Sequence, residues 1–207
     1  MCGLVGSWGG RFSTTEVVEK MALQIHHRGP DDTGSWQDES VSLALAHKRL
    51  SILDPNGSVG RQPISSKCGR YTLVFNGEIY NYKEIRSSLK KEGRKIIWRS
   101  NTDTETLLEL LIAKGVRRGL ESLDGMFAFA FWDASCGELY LARDRIGEKP
   151  LYYGYAGDSF LFASQLSALK AHPKWENKIN RKIIPHYLLQ NYIPTPWSIY
   201  EKIFKLP

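Results

Sequence analysis

The stretch MCGLVGSWGG places Cys2 directly behind the first methionine and follows it with glycines. A small second residue such as cysteine permits removal of the initiator methionine. The new terminus would then carry a thiol and an α-amine on one residue. Their reference pKa values, about 8.5 and about 7.7–8.0, lie close together, so the amine can act as general base for its own nucleophile. The neighbouring glycines let backbone approach a substrate closely. The chemistry implied is acyl transfer at sulfur. If Met1 stays, the amine is displaced from the cysteine, and Cys2 is a small apolar residue in a strand.

Acyl transfer at a thiol also needs donors for the developing oxyanion and a grip on the substrate. FNGEIYN at 75–81 offers such donors: Asn76 from its side-chain amide and Gly77 from its backbone N–H. An Asn-Gly pair is also a common hairpin signal, although the residues after it read as helix entry. In AHKRLSILD at 46–54, Arg49 stands between apolar positions, where a guanidinium suits a bidentate hold on a carboxylate. In SNTDTE at 100–105, Asp103 stands at a helix start, where it either holds an ammonium or caps the helix.

The elements that would position these groups are legible in outline. Residues 1–10 read as a strand ending in glycines. STTEVVEKMALQIHH pairs Ser13 with Glu16 as a capping box and continues as an apolar helical stripe. HRGPDDTG at 27–34 reads as a turn-rich loop, and SVSLALAHKRLSIL at 40–53 as two strands with a short break. The next segment reads as a strand over 71–75, an Asn-Gly turn, and a helix capped by Asn81 with Glu84 and ended by Gly93. NTDTETLLELLIAKG at 101–115 is a second helix, capped by Thr102 or Asp103 and ended by Gly115. MFAFAFWD, GELYLARD, PLYYGYA and SFLFAS are short alternating strands in antiparallel order, and QLSALKAH is a short helix. Mixed helices and antiparallel strands mean an α+β domain in two or four layers.

Composition excludes several classes. The chain has 207 residues, 42% of them hydrophobic and 24% charged, the profile of a globular protein with a real core. No apolar run approaches the roughly 20 residues that span a bilayer, and no signal-peptide pattern opens the chain, so the expectation is a cytoplasmic protein without membrane contact. Cys2, Cys68 and Cys136 lie far apart, which fits neither a disulfide framework nor a zinc site, and His47, His172 and His186 have no metal-ligand spacing. No metal is expected. The net charge of +6 comes from short, separated clusters at 90–95 and 114–119 with no nucleic-acid motif beside them, so it reads as solvated surface. NGS at Asn56 fits a glycosylation sequon by chance.

In order along the chain, MCGLVG, HRGPDDTG, RLSILD, QP, NGEIYN, DTETLL, LDGMFAFAFWD, LARDRIGEKPLYYG and FASQLSALKAHP resemble the glutaminase half of glutamine-hydrolysing asparagine synthetases, a branch of the class II glutamine amidotransferases. The resemblance implies a four-layer αββα N-terminal-nucleophile hydrolase fold, with antiparallel sheets sandwiched between helices. It implies hydrolysis of the glutamine side-chain amide through a glutamyl thioester on Cys2, with Asn76 and Gly77 as the oxyanion hole. Arg49 would bind the glutamine α-carboxylate, and Asp103 with Glu78 the α-ammonium, while Leu50, Ile52 and Leu53 line the pocket. HRGPDD then sets a loop near the nucleophile, and RDRIGEKPLYY supports the sheet and the contact with another domain. Residues 1–172 would be the amidotransferase domain, and residues 173–207 an aromatic-rich arm toward a synthetase domain that this chain lacks. No pyrophosphate-binding SGGxDS-like loop is present, so no cofactor is expected here, with ATP and Mg²⁺ reserved for the absent domain. Glutamine and that domain are the expected partners, and a homodimer is compatible with the same reading. The chain departs from common family patterns at Ile146 and Gln165, outside the implied pocket. Two alternatives stay open: the same glutaminase serving another acceptor in polysaccharide or peptide synthesis, or a non-catalytic regulatory domain if Met1 is retained.

Overall fold

The computed structural model describes residues 1–51 and 60–207. Ile52, Leu53 and the Asn56 sequon lie outside the described residues. The strands form two antiparallel sheets. One holds β1 (Gly3–Trp8), β2 (Asp32–Asp38), β3 (Leu43–Arg49), β8 (Tyr152–Ala156), β9 (Ser159–Ala163) and β10 (Ile203–Lys205), in the order β10-β8-β9-β1-β3-β2. The other holds β4 (Ile64–Ser65), β5 (Tyr71–Ile79), β6 (Gly125–Asp133) and β7 (Glu138–Arg143), in the order β4-β5-β6-β7.

The alternation of side chains along each strand builds the layers. On β1 and β3, Leu4, Leu43 and Leu45 face one way and meet Val74, Ala128, Ala130 and Trp132 of the second sheet. Val5, Ala44 and Ala46 face the other way and meet Val18, Met21 and Ala22 of α1 (Thr15–Leu23), together with Ala168 and Leu169 of α5 (Leu166–Lys170). The second sheet repeats the plan. Phe75, Phe127, Phe129 and Phe131 pack under Ile85 and Leu89 of α2 (Tyr82–Lys91) and Leu107 and Leu111 of α3 (Asp103–Lys114). Three apolar layers therefore separate four structural ones, in the order helix, sheet, sheet, helix. This is the αββα arrangement that the family resemblance implies, and the four-layer form of the α+β domain read from the elements.

The four antiparallel strands over 125–163, together with α3 and α5, form where the alternation and end signals place them. Gly115, at φ 76°, ends α3. Elsewhere the local reading needs correction. Thr14, not Ser13, caps α1, accepting from Val17 N–H at 3.4 Å. Ser13 instead pairs with Ser7 Oγ at 2.7 Å inside the fold. Asn81 precedes α2 but does not cap it with its side chain. Its amide bridges to Ser122 O at 3.0 Å and Asp124 N–H at 3.1 Å, tying that corner to the start of β6. The segment 40–49 holds one strand, and the loop expected over 27–34 ends early because β2 starts at Asp32. Gly34 lies within β2 because the Gln62 carbonyl passes so close that a Cβ there would sit 2.2 Å from its oxygen. Two helices follow weaker signals: α4 (Val116–Glu121) and α6 (Ile184–Gln190), the second with Tyr187, Leu188 and Leu189 exposed. Beyond α6 the chain returns to the first sheet, where β10 pairs with β8 and buries Ile203.

Candidate active site

Cys2, Arg49, Leu50, Asn76, Gly77, Glu78 and Asp103 line one cavity of about 120 Å³. Every described residue among those implied by the sequence is therefore brought together, from segments more than 100 positions apart. Ile52 and Leu53 are the exceptions, since they lie outside the described residues.

The nucleophile end is built by β1 and β3. Their register pairs Gly3 with Lys48 and Leu4 with His47, so Cys2 and Arg49 emerge side by side. Leu50 N–H donates to Cys2 Sγ at 3.4 Å, and the thiol lies 3.7 Å from Leu50 O. Arg28 of the HRGPDD stretch donates from Nε to Cys2 O at 2.9 Å, so this loop does hold the nucleophile's backbone. Burial pushes the Cys2 thiol up, while the Leu50 N–H, the Met1 ammonium and the Arg49 guanidinium pull it down, and Asp103 adds a small push upward. Arg49 is buried, and its guanidinium lies against Gly60, where a Cβ would come 2.3 Å from Nη2.

The opposite wall is the free edge of β5. The strand runs through Asn76 and Gly77 to Ile79, so the Asn-Gly pair is not a turn. Gly77 is required there because Met126 O would lie 2.2 Å from a Cβ. Phe127, which faces Gly77 across the ladder, directs its own groups the other way: its N–H donates to Asp144 Oδ2 and its carbonyl accepts from Asp144 N–H. Gly77 and Phe127 are thus a pair without mutual hydrogen bonds, and Gly77 turns its N–H to the edge that β4 leaves open. The flanking groups on that edge are satisfied by side chains. Phe75 N–H donates to Gln62 Oε1 at 2.6 Å and Ile79 N–H to Asp103 Oδ2 at 3.0 Å. Between them Gly77 N–H faces the cavity. Asn76 is 1% exposed, and its Nδ2 has no hydrogen-bond partner among the described residues. A buried amide donor without a partner costs free energy, so a site that keeps one is built to have it filled.

Thr102, not Asp103, caps α3, accepting from Glu105 N–H at 3.4 Å. That frees Asp103 for the cavity, where burial, with a smaller contribution from Glu78, pushes its carboxyl up against the pull of the Ile79 and Thr104 N–H groups. The loop before α3 is fixed by the buried Glu105 carboxylate, which accepts from Arg99 N–H and Ser100 N–H.

The sequence reading missed several lining residues. Gln62, from the QP pair, seals the strand edge, and Thr102 and Met126 complete the wall. Lys149, inside RDRIGEKPLYY, is 5% exposed and places Nζ 3.5 Å from Met1 Sδ. Asp144 holds its turn by accepting from Glu148 and Lys149 N–H groups, with Ile146 exposed at the tip. Among the described residues, no group of three or more His, Cys, Asp or Glu side chains could hold a metal ion, and no helix is long and apolar enough to cross a membrane.

An αββα stack that brings a near-terminal cysteine to the ends of both sheets defines the N-terminal-nucleophile hydrolase fold. The chain superposes on the glutamine phosphoribosylpyrophosphate amidotransferase from B. subtilis with a TM-score of 0.68 over 82% of its length and 43% of that chain, at 23% identity. The structure described as the allosteric regulatory enzyme of purine biosynthesis gives a TM-score of 0.69 over the same shares. A family profile described as "Glutamine amidotransferase domain" matches residues 1–207, and the chain belongs to that family. Among curated relatives, asparagine synthetase [glutamine-hydrolyzing] 3 of Bacillus subtilis is 38% identical over 87% of this chain and 29% of its own length. A putative asparagine synthetase [glutamine-hydrolyzing] 2 of Methanocaldococcus jannaschii is 35% identical over the whole chain and 42% of its own length. The chain thus spans between 29% and 42% of these relatives.

Proposed function

We propose that this domain hydrolyses the side-chain amide of glutamine to glutamate and ammonia, with Cys2 as nucleophile once Met1 is removed. The observation that carries the reading is the buried, unpartnered Asn76 Nδ2 in the same cavity as the Cys2 thiol. The freed α-amine takes the thiol proton, and the thiolate attacks the amide carbon. Asn76 Nδ2 and Gly77 N–H hold the resulting oxyanion. The same amine returns its proton to the leaving nitrogen, the C–N bond breaks, and ammonia departs from a glutamyl thioester. Water then attacks the thioester, releasing glutamate and restoring the thiol. Arg49 pairs with the substrate α-carboxylate, and Asp103 with Glu78 receives the α-ammonium, so the two ends of a zwitterion meet opposite charges about the 120 Å³ cavity. Leu50 contributes the N–H that steadies the sulfur.

The hydrolysis itself needs no metal or cofactor in this reading. The relatives are longer and carry the name asparagine synthetase, which supports ammonia being passed to an ATP- and Mg²⁺-dependent synthetase portion. Residues 1–172 carry the catalytic machinery, and residues 173–207, which return β10 to the first sheet, lead toward that portion. Three free thiols support a reducing, cytoplasmic setting.

The test is intact mass and glutamate release on one sample. A chain lacking one methionine that releases glutamate, and stops doing so in Cys2→Ala, supports the reading. A processed chain that neither releases glutamate nor forms a covalent adduct with a glutamine-like diazoketone overturns it.

A further inference from the structure

We propose that His47 and Gln62 are positioning residues for the oxyanion donors, acting by clamping the N–H and the C=O of Phe75, one on each of the two peptide planes that flank its Cα; this rests on the glutaminase reading above. Gln62 Oε1 accepts from Phe75 N–H at 2.6 Å, and His47 Nε2 lies 3.0 Å from Phe75 O. Both side chains are buried, His47 at 1% and Gln62 at 6% exposure. A ring nitrogen that faces a carbonyl must carry the hydrogen, so the imidazole donates from Nε2. Burial also keeps that imidazole neutral.

The clamp sits where β5 has lost its neighbour. β4 pairs with β5 only at Thr72 and Leu73, so the edge from Phe75 onward has no strand to fix it. An open edge leaves its peptide planes free to tilt. The two side chains replace the missing ladder bonds of Phe75: Gln62 holds the Val74–Phe75 peptide and His47 the Phe75–Asn76 peptide, the one immediately before Asn76. A tilt of the Phe75–Asn76 plane would move the Asn76 Cα and, through it, the Gly77 N–H, and an oxyanion hole tolerates little displacement.

Each half of the clamp is itself anchored. His47 belongs to β3, opposite Leu4 and two residues before Arg49. One strand therefore references the nucleophile, the guanidinium and the oxyanion wall to one another. Gln62 is seated because Gly34 has no Cβ to exclude its backbone.

The test uses the processed chain and compares His47→Leu and Gln62→Met, which remove a partner, with His47→Gln, which keeps an amide donor near Nε2. Losing an oxyanion donor outright costs about 10²–10³ in kcat, so misaiming one should cost roughly tenfold or more. The expected result is that kcat falls by about that factor while KM for glutamine stays within about twofold, with His47→Gln regaining most of the rate. A folded His47→Leu or Gln62→Met with unchanged kcat overturns the proposal. So does a rise in KM matching the fall in rate, the pattern of general loosening. If His47→Leu does not fold, Gln62→Met carries the comparison alone. The Asn76 side-chain amide resonance gives a readout that needs no turnover. It should shift or broaden in the clamp variants and return in His47→Gln, and an unmoved resonance overturns the proposal. Absence of hydrolysis in the parent chain would count against the glutaminase reading only.

Discussion

The His47 imidazole makes the protein's stability acid-sensitive in a window set by its burial. Desolvation lowers it from 6.5 to about 4, with the Phe75 carbonyl and Asp32 pulling it up and Arg49 pressing it further down. Its folded value lies below its unfolded one. Between these values the unfolded chain binds a proton that the folded chain refuses, so stability falls as pH drops through the window and levels off below it. At ~1.4 kcal/mol per pH unit, the gap between 6.5 and about 4 corresponds to roughly 3 kcal/mol, a large part of the ~5–15 kcal/mol that holds a typical domain. His47→Gln removes the titration and keeps a donor for Phe75 O. Urea unfolding of both chains at about pH 7.5 and about pH 4 isolates the effect, because His172, also pushed down by burial, is common to both. The parent's advantage over the variant, in kcal/mol, should shrink by about 3 at the lower pH. An advantage that stays constant between the two pH values would show that the ring is not buried neutral and would refute the reasoning.

Asp103→Asn keeps an acceptor for Ile79 N–H but removes the charge, so KM for glutamine should rise about tenfold to a hundredfold, the worth of a hydrogen bond to a charged group. The melting temperature should hold or rise, since burial already disfavours the ionised form; a collapse would mean the carboxylate's role is to hold the fold. Gly60→Ala places a methyl 2.3 Å from Arg49 Nη2, a movable side-chain end, and should raise KM with little change in melting temperature. An unchanged KM would remove Arg49 from substrate binding. Thr102→Ala should cost about 1 kcal/mol as a lost cap, measured by denaturant unfolding, and a neutral result would return the capping role to Asp103.

Alternation was the reliable signal: Phe127, Phe129 and Phe131 against Ala128, Ala130 and Trp132 state both faces of β6 outright. The misreadings share a cause. Gly34 and Gly77 look like turn residues in the sequence, yet both sit inside strands, made glycine by a carbonyl that comes within 2.2 Å of where a Cβ would be. Local sequence cannot distinguish a glycine chosen for its own φ from one chosen by a distant neighbour. The same limit hid Gln62, whose importance depends on β4 stopping short of Phe75. It also hid His47, which reads as one polar residue in an apolar strand until the second sheet is placed over it. Cys2, Asn76, Arg49 and Asp103 were legible because their chemistry is carried by residue type. The residues that aim them were not, because aiming is a property of the packing between sheets. A single misread glycine therefore has a direct cost: treating Asn76-Gly77 as a turn dissolves the strand edge that presents the oxyanion donors, and with it the reason for the clamp on Phe75.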